Sequence, residues 1–267
     1  MAVQLVRSVT SILSETPNRR HEFQIINPPN DFTPPRDPEL FFTLNAQPST
    51  NLGSTENVWT GNTDFTAPML CKRMRHPFVL AEVTIRARFE FPHDQAGIVV
   101  FMQPLPRQDR SNHTSRRRSF YLSSGMKRAR VALELLHDNL AITTFIGKPR
   151  HPLEKRSSAP FLPDNDLTDD GDRNDAQIRL KLERVGSSLW VWYRASSEDD
   201  AEENKYAPSP AEVSRQWKKC DEIAGFFSSS LRKTAVFVGC YASRPSNLDI
   251  AGTNSRLMTE FYDLDIL

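Results

Sequence analysis

Glycine and cysteine are scarce in this 267-residue sequence, which contains 10 Gly and 3 Cys. The scarcity of glycine disfavours a glycine-rich phosphate-binding loop, and neither a Walker pattern nor a dinucleotide-binding pattern occurs. The cysteines Cys71, Cys220 and Cys240 are odd in number and far apart, which disfavours a disulfide framework and favours a reducing compartment. No apolar run approaches the ~20 residues that span a bilayer, so a membrane is not an expected partner.

Neither positive nor negative charge predominates, because 34 Lys and Arg balance 33 Asp and Glu to give a formal net charge of +1. A general nucleic-acid binder needs surplus cations to neutralise phosphates, so nucleic acid is not an expected partner. The balance is a sum of opposed segments, since Gln108–Arg118 is basic whereas Asp164–Asp175 and Ser197–Glu203 are acidic. These segments predict charged loops inserted into one domain, which are candidate contacts for a protein partner.

The N-terminal segment Met1–Arg20 lacks the uninterrupted apolar core of a secretory signal, because Arg7 and several hydroxyl residues break it. Its first acid is Glu15, so a mitochondrial presequence is an alternative. The simpler expectation is a flexible tail over residues 1–20, followed by a single domain over residues 21–267 in a cytoplasmic protein.

Alternating apolar and polar residues indicate strands through the rest of the chain. The longest alternation covers Phe78–Phe91, where apolar residues recur at every second position. Pro92-His93-Asp94 has turn chemistry and Ala96–Gln103 is apolar, so the two runs predict a long β-hairpin. Further strands are predicted at Glu22–Ile26, Leu40–Leu44, Asn57–Thr60, Ser119–Ser123, Arg128–Leu136, Leu140–Ile146, Gln177–Glu183, Leu189–Arg194, Thr234–Ala242 and Met258–Ile266.

The number and spacing of these strands predict the fold class. Many short strands separated by turn residues are typical of an all-β sandwich or jelly roll. One weak helix candidate, Pro210–Ala224, interrupts them. We therefore expect one all-β domain of two packed sheets with charged loop insertions.

The sequence lacks the motifs of common catalytic and metal centres. It contains no H-E-x-x-H, no C-x-x-C and no G-x-S-x-G pattern. Asp170, Asp172 and Asn174 occupy alternate positions, but a misplaced glycine and the lack of a distal Glu distinguish them from a calcium loop. Only Asp263 and Asp265 approach the alternating carboxylates that retaining glycosidases often carry on one strand. Neither a metal nor a cofactor is expected.

Tryptophans provide the first candidate ligand contacts. Trp190 and Trp192 share one face of a predicted strand, where two indoles could stack on a sugar ring. The simpler interpretation is that both side chains fill the core. Trp59 has polar flanking residues and is the better candidate for binding.

The segment Asp94-Gln95-Ala96-Gly97, a turn that leads into an apolar strand, resembles a family of concanavalin A-like β-sandwich proteins. The family includes fungal proteins named for an effect on enolase regulation. Three further stretches are similar to it in the same order, Trp59–Pro68, Val131–Thr144 and Val238–Pro245.

The resemblance extends in fragments from Phe23 to Leu267 and implies a jelly-roll sandwich of two antiparallel sheets, one of them concave. It implies no particular reaction, since one fold supports many functions. The sequence departs from the family pattern at Arg128, Arg130 and Ala132, where Trp, Lys and Gly are usual.

Three polar side chains, Arg128, Arg130 and Glu134, alternate onto one face of a single predicted strand. If that face is the concave one, Arg130 and Glu134 could pair and, with Gln95, hydrogen-bond a ligand that stacks on Trp59. The alternative is that Gln95 satisfies backbone groups in its turn while Arg130 and Glu134 form a surface ion pair.

Three classes of function fit these observations. The leading hypothesis is a non-catalytic binding module for a glycan or another small polar ligand, with a regulatory role in carbohydrate metabolism. The second is an enzyme on the same scaffold, a diverged glycosidase or a small-molecule isomerase or cyclase, with Glu134, Asp94 or a histidine as its acid–base group. The third is an interaction protein that uses its charged loops.

Overall fold

The structure is a computed structural model that describes residues 23–52, 65–104, 126–147, 153–161, 175–195, 217–227, 234–246 and 256–267. Within these ranges the chain forms thirteen strands and no helix. The strands are β1 Phe23–Ile26, β2 Phe41–Ala46, β3 Met69–Arg73, β4 Leu80–Arg88, β5 Gln95–Pro104, β6 Lys127–Leu136, β7 Asn139–Gly147, β8 Leu153–Pro160, β9 Asp175–Val185, β10 Ser188–Ala195, β11 Lys218–Ile223, β12 Thr234–Ser243 and β13 Leu257–Ile266.

The strands form two sheets in which every pair of neighbouring strands is antiparallel. The seven-stranded sheet has the order β1-β3-β12-β5-β6-β7-β8, and the six-stranded sheet has the order β11-β10-β9-β4-β13-β2. The predicted fold class is therefore confirmed, an all-β, concanavalin A-like jelly-roll sandwich of two antiparallel sheets.

The main core lies between the two sheets and is built from alternate residues of the strands. In β4 these are Ala81, Val83, Ile85 and Ala87, all buried in one apolar cluster. The facing residues of β6 are Ala129, Val131, Leu133 and Leu135. Alternation places these side chains on one face of each strand, and burial stabilises the fold by about 1.5–3 kcal/mol for each large aliphatic side chain.

The opposite face of the seven-stranded sheet, which we call the outer face, is buried as well. A second apolar cluster covers part of it, including Val99 and Phe101 of β5, Ala132 of β6, and Phe237 of β12. Strands β5, β6 and β12 are consequently buried on both faces, which explains why β5 and β12 are nearly continuous apolar runs. In β6 the outer face instead carries buried polar side chains.

The predicted hairpin between Phe78–Phe91 and Ala96–Gln103 is wrong. Strand β4 pairs with β9 and β13 in the six-stranded sheet, whereas β5 pairs with β6 and β12 in the other sheet. The intervening turn crosses from one sheet to the other. The burial patterns supply the physical reason, since β4 alternates between buried and partly exposed positions while β5 is buried on both faces, so the strands suit different sheets.

The predicted helix Pro210–Ala224 is wrong over Lys218–Ile223, which forms edge strand β11 and pairs with β10. Pairing with β10 provides backbone hydrogen bonds, and these outweigh the weak local preference of this segment for helix. Strands β3 and β8 were not predicted from the sequence. The predicted strands Asn57–Thr60 and Ser119–Ser123, the tail over residues 1–20 and most of the three charged loops lie outside the described residues.

The cysteines Cys71, Cys220 and Cys240 are free thiols in this fold. Burial raises the pKa of the Cys71 thiol to about 12, so this thiol stays protonated and packs as an apolar side chain. A search of the described residues for an apolar helix able to cross a membrane finds none.

Candidate ligand-binding site on the seven-stranded sheet

Polar side chains lie buried on the outer face of the seven-stranded sheet, where four neighbouring strands bring them together. They are Gln95 of β5, Arg128, Arg130 and Glu134 of β6, Thr143 of β7 and Tyr241 of β12. Each alternates with residues of the main core, and this alternation places all six on the other face. Buried polar groups are costly unless they are paired, so this cluster needs a structural or functional reason.

Glu134 is the carboxylate of the cluster, and two side chains hold it in place. The hydroxyl of Thr143 donates to Oε2 at 2.7 Å, and Oε1 lies 3.0 Å from Nδ1 of His93. The Glu134 side chain is only 4% exposed, whereas that of His93 is 60% exposed. The pair therefore links a buried carboxylate to a ring that solvent reaches.

His93 reaches Glu134 because of its backbone. It adopts a φ of 68°, in the left-handed region that is uncommon for residues other than glycine. Its amide donates to the carbonyl of Leu135 at 2.8 Å, and the amide of Leu135 donates to the carbonyl of Asp94 at 3.0 Å. These bonds attach the turn before β5 to the end of β6, beside Glu134.

Gln95 lies directly opposite Glu134 in the ladder between β5 and β6. Its Oε1 accepts a hydrogen bond from the Tyr241 hydroxyl at 3.0 Å, and its Nε2 is 3.4 Å from the carbonyl of His93. Burial raises the pKa of Tyr241 well above its ordinary value, against an opposing effect of the Arg130 charge. The hydroxyl thus stays protonated as a donor, which fixes the orientation of the Gln95 amide.

Arg128 and Arg130 are the two cations of the cluster, and each rests on an aromatic ring. The guanidinium carbon of Arg130 lies 3.9 Å from the centre of the Phe145 ring, its direct neighbour on β7. That of Arg128 lies 4.8 Å from the centre of the Phe65 ring. Burial, and secondarily the charge of Arg130, lowers the pKa of Arg128 to about 10.

Gly147 makes room for Arg128, which it faces across the ladder between β6 and β7. A Cβ atom at this glycine would lie 2.6 Å from Nε and 2.7 Å from Cγ of the arginine. Real Cβ atoms do not approach so closely, so any larger residue at this position would displace the Arg128 side chain.

Asp94, a candidate acid–base group from the sequence, holds two segments of the chain together. Arg244 donates to both of its carboxylate oxygens, at 3.0 Å from Nε and 2.8 Å from the terminal nitrogen. The amides of Glu90 and Phe91 also donate to Oδ2, each at 3.0 Å. Both partners are almost fully buried, so this bidentate pair anchors the sheet-crossing turn to the end of β12.

The sequence-predicted residues Gln95, Arg130 and Glu134 therefore lie together on one sheet face. Trp59, the fourth, lies outside the described residues. The expected ion pair between Arg130 and Glu134 is wrong, because the carboxylate pairs with His93 and Thr143 instead.

Sequence reasoning missed Thr143 and Tyr241 as members of the site, because they come from β7 and β12 and no local pattern marks them. A polar residue at an otherwise apolar position of each strand is the signal that could have found them. The same signal marks Arg128. The sequence predicted its face of the strand correctly but assigned it no contact with a ligand.

The interpretation that Trp190 and Trp192 fill the core is wrong. Leu189 and Val191 point into the core, and both tryptophans are only partly buried on the opposite face of the six-stranded sheet. Their rings are 5.8 Å apart, and the ammonium of Lys219 lies 3.4 Å from the centre of the Trp190 ring. The indoles are covered by cations rather than by the second sheet.

Among the described residues, no group of three or more His, Cys, Asp or Glu side chains is placed to hold a metal ion. The polar cluster itself contains one carboxylate, which the imidazole of His93 contacts, and two cations. Its chemistry favours hydrogen bonding and charge recognition.

No family model matches the sequence, and no curated protein matches it. Among solved structures, the chain is similar to a functionally unknown protein from Saccharomyces cerevisiae, with a TM-score of 0.55 and 14% sequence identity. That likeness covers 92% of this chain and 96% of the yeast protein. At this identity it concerns the fold alone.

Two bacterial proteins are also similar in structure, the GH43 BlXynB protein from Bacillus licheniformis and a xylan β-1,4-xylosidase from Bacillus halodurans. Their TM-scores are 0.49 and 0.48, and their sequence identities are 15% and 12%. The likeness covers 91% and 92% of this chain but only 36% and 37% of theirs, so it spans little more than a third of each enzyme.

Proposed function

We propose that the chain is a non-catalytic binding module for a glycan or another small polar ligand, held on the outer face of the seven-stranded sheet beside Gln95, Arg130 and Glu134. The observation that carries the proposal is a set of buried polar side chains on one sheet face. Tyr241 and Thr143 orient Gln95 and Glu134. Arg128 and Arg130 keep donor atoms that have no partner among the described residues. Ligand sites typically combine apolar surroundings with a few convergent polar groups. In this protein the polar groups lie beside the apolar cluster of the outer face.

The fixed orientation of Gln95 and Glu134 supports binding of a ligand with several hydroxyl groups. Tyr241 and Thr143 each donate to one of these side chains, so neither needs to reorganise when a ligand arrives. Preorganised partners raise affinity because less conformational entropy is lost on binding.

A thermal-shift screen against monosaccharides, oligosaccharides and polar metabolites tests the proposal, with calorimetry on each hit. We expect a hit to stabilise the wild type and to bind at least tenfold more weakly to Glu134→Gln. The matched control is Glu222→Gln on edge strand β11, which should bind as the wild type does. A panel in which nothing stabilises the wild type at millimolar concentration would contradict the proposal.

An acid–base enzyme is the second candidate function, and the contact between His93 and Glu134 favours it. A buried carboxylate that orients an exposed imidazole is a frequent arrangement for moving a proton. Mass spectrometry of every hit after incubation with the protein tests for turnover. Turnover that survives Glu134→Gln would remove this dyad as the acid–base group.

The finer family assignment is also part of our proposal, namely the type that includes fungal enolase-regulation proteins, with a regulatory role in carbohydrate metabolism. The proposal rests on the resemblance of the segment Asp94-Gln95-Ala96-Gly97 to that family. The packing of this segment requires its glycine, because a Cβ at Gly97 would lie 1.9 Å from the carbonyl oxygen of Val131. A cytoplasmic location and a protein partner at the charged loops belong to the same proposal. Imaging of a tagged full-length chain and affinity capture with the loop charges reversed would test them.

A further inference from the structure

Arg128 and Arg130 are buried arginines that keep unpaired donor atoms among the described residues. Arg128 is only 3% exposed and Arg130 only 7%. In Arg128, Nε and one terminal nitrogen have no hydrogen-bond partner among the described residues, and the same is true of Nε and one terminal nitrogen of Arg130. Nearly all buried polar atoms in folded proteins are paired, so four unpaired donor atoms in one place call for an acceptor.

The geometry of the pair suits an acceptor that lies between two guanidinium edges. The residues are two apart on β6 and share one face, which places their Cβ atoms roughly 7 Å from each other. Each guanidinium plane stacks on an aromatic ring, Phe65 under Arg128 and Phe145 under Arg130. Stacking occupies the flat faces and leaves the N–H edges for an oxyanion, which guanidinium groups bind in a bidentate manner.

Glu134 and Asp94, the buried acids of the described part of the chain, are already committed to other partners. Glu134 pairs with His93 and Thr143, and Asp94 pairs with Arg244 and two backbone amides. Between the two arginines the local charge is therefore positive. The lowered pKa of Arg128, caused first by burial and then by the charge of Arg130, agrees with this geometry.

We propose that Arg128 and Arg130 bind an oxyanion group of the ligand, a carboxylate, sulfate or phosphate, so that the ligand is an acidic sugar rather than a neutral one. The inference rests on the proposed binding function and names the ligand class for that site. In this arrangement the anion lies on the arginine pair, while Gln95 and Glu134 contact the hydroxyl groups.

Calorimetry with matched sugars tests the inference. The probes are glucose, glucuronate, glucose 6-sulfate and glucose 6-phosphate, and the corresponding oligosaccharides where monosaccharides bind weakly. We expect at least one anionic form to bind tenfold or more tightly than the neutral sugar. The three anions distinguish a planar carboxylate from a tetrahedral sulfate or phosphate.

Variants then assign the preference to the two arginines. Arg128→Met and Arg130→Met should each reduce affinity for the anionic probe tenfold or more and leave affinity for the neutral sugar within about twofold. Arg86→Met, which removes an exposed arginine from the six-stranded sheet, is the matched control for loss of one charge. The Arg86→Met variant should still bind the anionic probe more tightly than the neutral sugar.

Gly147→Ala provides a second route that retains both charges. The added methyl group would displace the Arg128 side chain, so the anion preference should fall although the net charge is unchanged. Circular dichroism of each variant checks that the fold is retained.

The outcomes separate the two proposals. If the neutral sugar binds as tightly as its anionic partners, or if the arginine variants keep the preference, the oxyanion inference fails while the binding module stands. If no sugar of either kind binds, the oxyanion inference fails, and the binding module fails with it if nothing in the wider thermal-shift panel stabilises the wild type.

Discussion

Buried arginines lie at two places on the seven-stranded sheet, Arg244 just after β12 and the pair Arg128 and Arg130 on β6. The two places differ in the hydrogen-bond partners of the guanidinium groups. Arg244 donates to both oxygens of Asp94 and to Glu90, and its guanidinium carbon lies 4.6 Å from the centre of the Phe91 ring. Arg128 and Arg130 stack on aromatic rings in the same way but have unpaired donor atoms among the described residues. Burial and stacking are shared, so the difference lies in the carboxylate.

The difference separates a structural cation from a binding cation. A buried arginine with a bidentate carboxylate holds two segments together, here the sheet-crossing turn and the end of β12. A buried arginine without one carries an uncompensated desolvation cost in the free protein. Such a cost is tolerated where a ligand removes it, and this is the basis of the following predictions.

Breaking the satisfied pair should have the largest effect. Asp94→Ala leaves the buried Arg244 charge without its bidentate partner and with only the longer contact to Glu90, so we expect the free energy of unfolding to fall by about 3–5 kcal/mol. For a domain of this size that loss corresponds to a melting temperature lower by roughly 10 °C. Urea denaturation followed by circular dichroism measures it.

The control for that prediction is Asp175→Ala, which breaks the exposed contact with Arg86 at 3.9 Å. Its expected loss is below about 1 kcal/mol, since solvent screens exposed pairs. Equal losses in the two variants would show that Asp94 is not an anchor.

Removing an unsatisfied arginine should change stability in the opposite direction. Arg128→Met replaces a buried cation by an apolar side chain of similar length, so we expect the ligand-free protein to gain about 1–3 kcal/mol. Because the folded-state pKa of Arg128 is lowered to about 10, the unfavourable contribution is fully present below that pH and disappears as the pH rises above it. Urea denaturation at neutral pH measures the gain.

If the free energy of unfolding of Arg128→Met fell as much as that of Asp94→Ala, the distinction between Arg244 and the pair of Arg128 and Arg130 would be contradicted. Added glucuronate sharpens the test, because a ligand that binds only the folded state should stabilise the wild type and not the variant.

Loosening the network around Gln95 should have a moderate effect. Tyr241→Phe removes the hydroxyl that donates to Gln95, and we expect a loss of about 1 kcal/mol in the free energy of unfolding. Tyr262→Phe is the control, because its hydroxyl donates to Glu260 on the partly exposed face of the six-stranded sheet. A smaller loss for Tyr241→Phe than for Tyr262→Phe would contradict the assigned role of the buried bond.

The smallest effect is expected for a cation away from both places. Lys219→Met removes the ammonium that lies over Trp190 on the opposite sheet, and an exposed contact of this kind contributes about 0.5–1 kcal/mol. Tryptophan fluorescence should report the changed environment of the indole. A loss beyond about 2 kcal/mol would mean that cations on this face have a structural role like that of Arg244.

The sequence predicted those features of the fold that depend on the residue pattern within a single strand. The alternation in Phe78–Phe91 and Arg128–Leu136 identified β4 and β6 with their correct faces, because successive residues of a strand point to opposite sides. The same periodicity placed Arg128, Arg130 and Glu134 on one face.

Predictions that depended on contacts between distant segments were less successful. The hairpin of β4 and β5, the helix over β11 and the placement of Trp190 and Trp192 in the core are all wrong. In each case the local pattern fitted two arrangements, and the burial of a remote strand or sheet selected between them.

The sequence by itself determined most of the strands, their faces and the alignment of three polar side chains, because backbone geometry within one strand fixes these features. Only the tertiary structure decided which carboxylate each arginine meets. Asp94 reaches Arg244 across 150 positions of the chain, and Glu134 meets His93 and Thr143 rather than Arg130. Electrostatic partners are set by distances in the folded sheet. The arginines with donor atoms that lack a partner among the described residues are those we assign to the ligand.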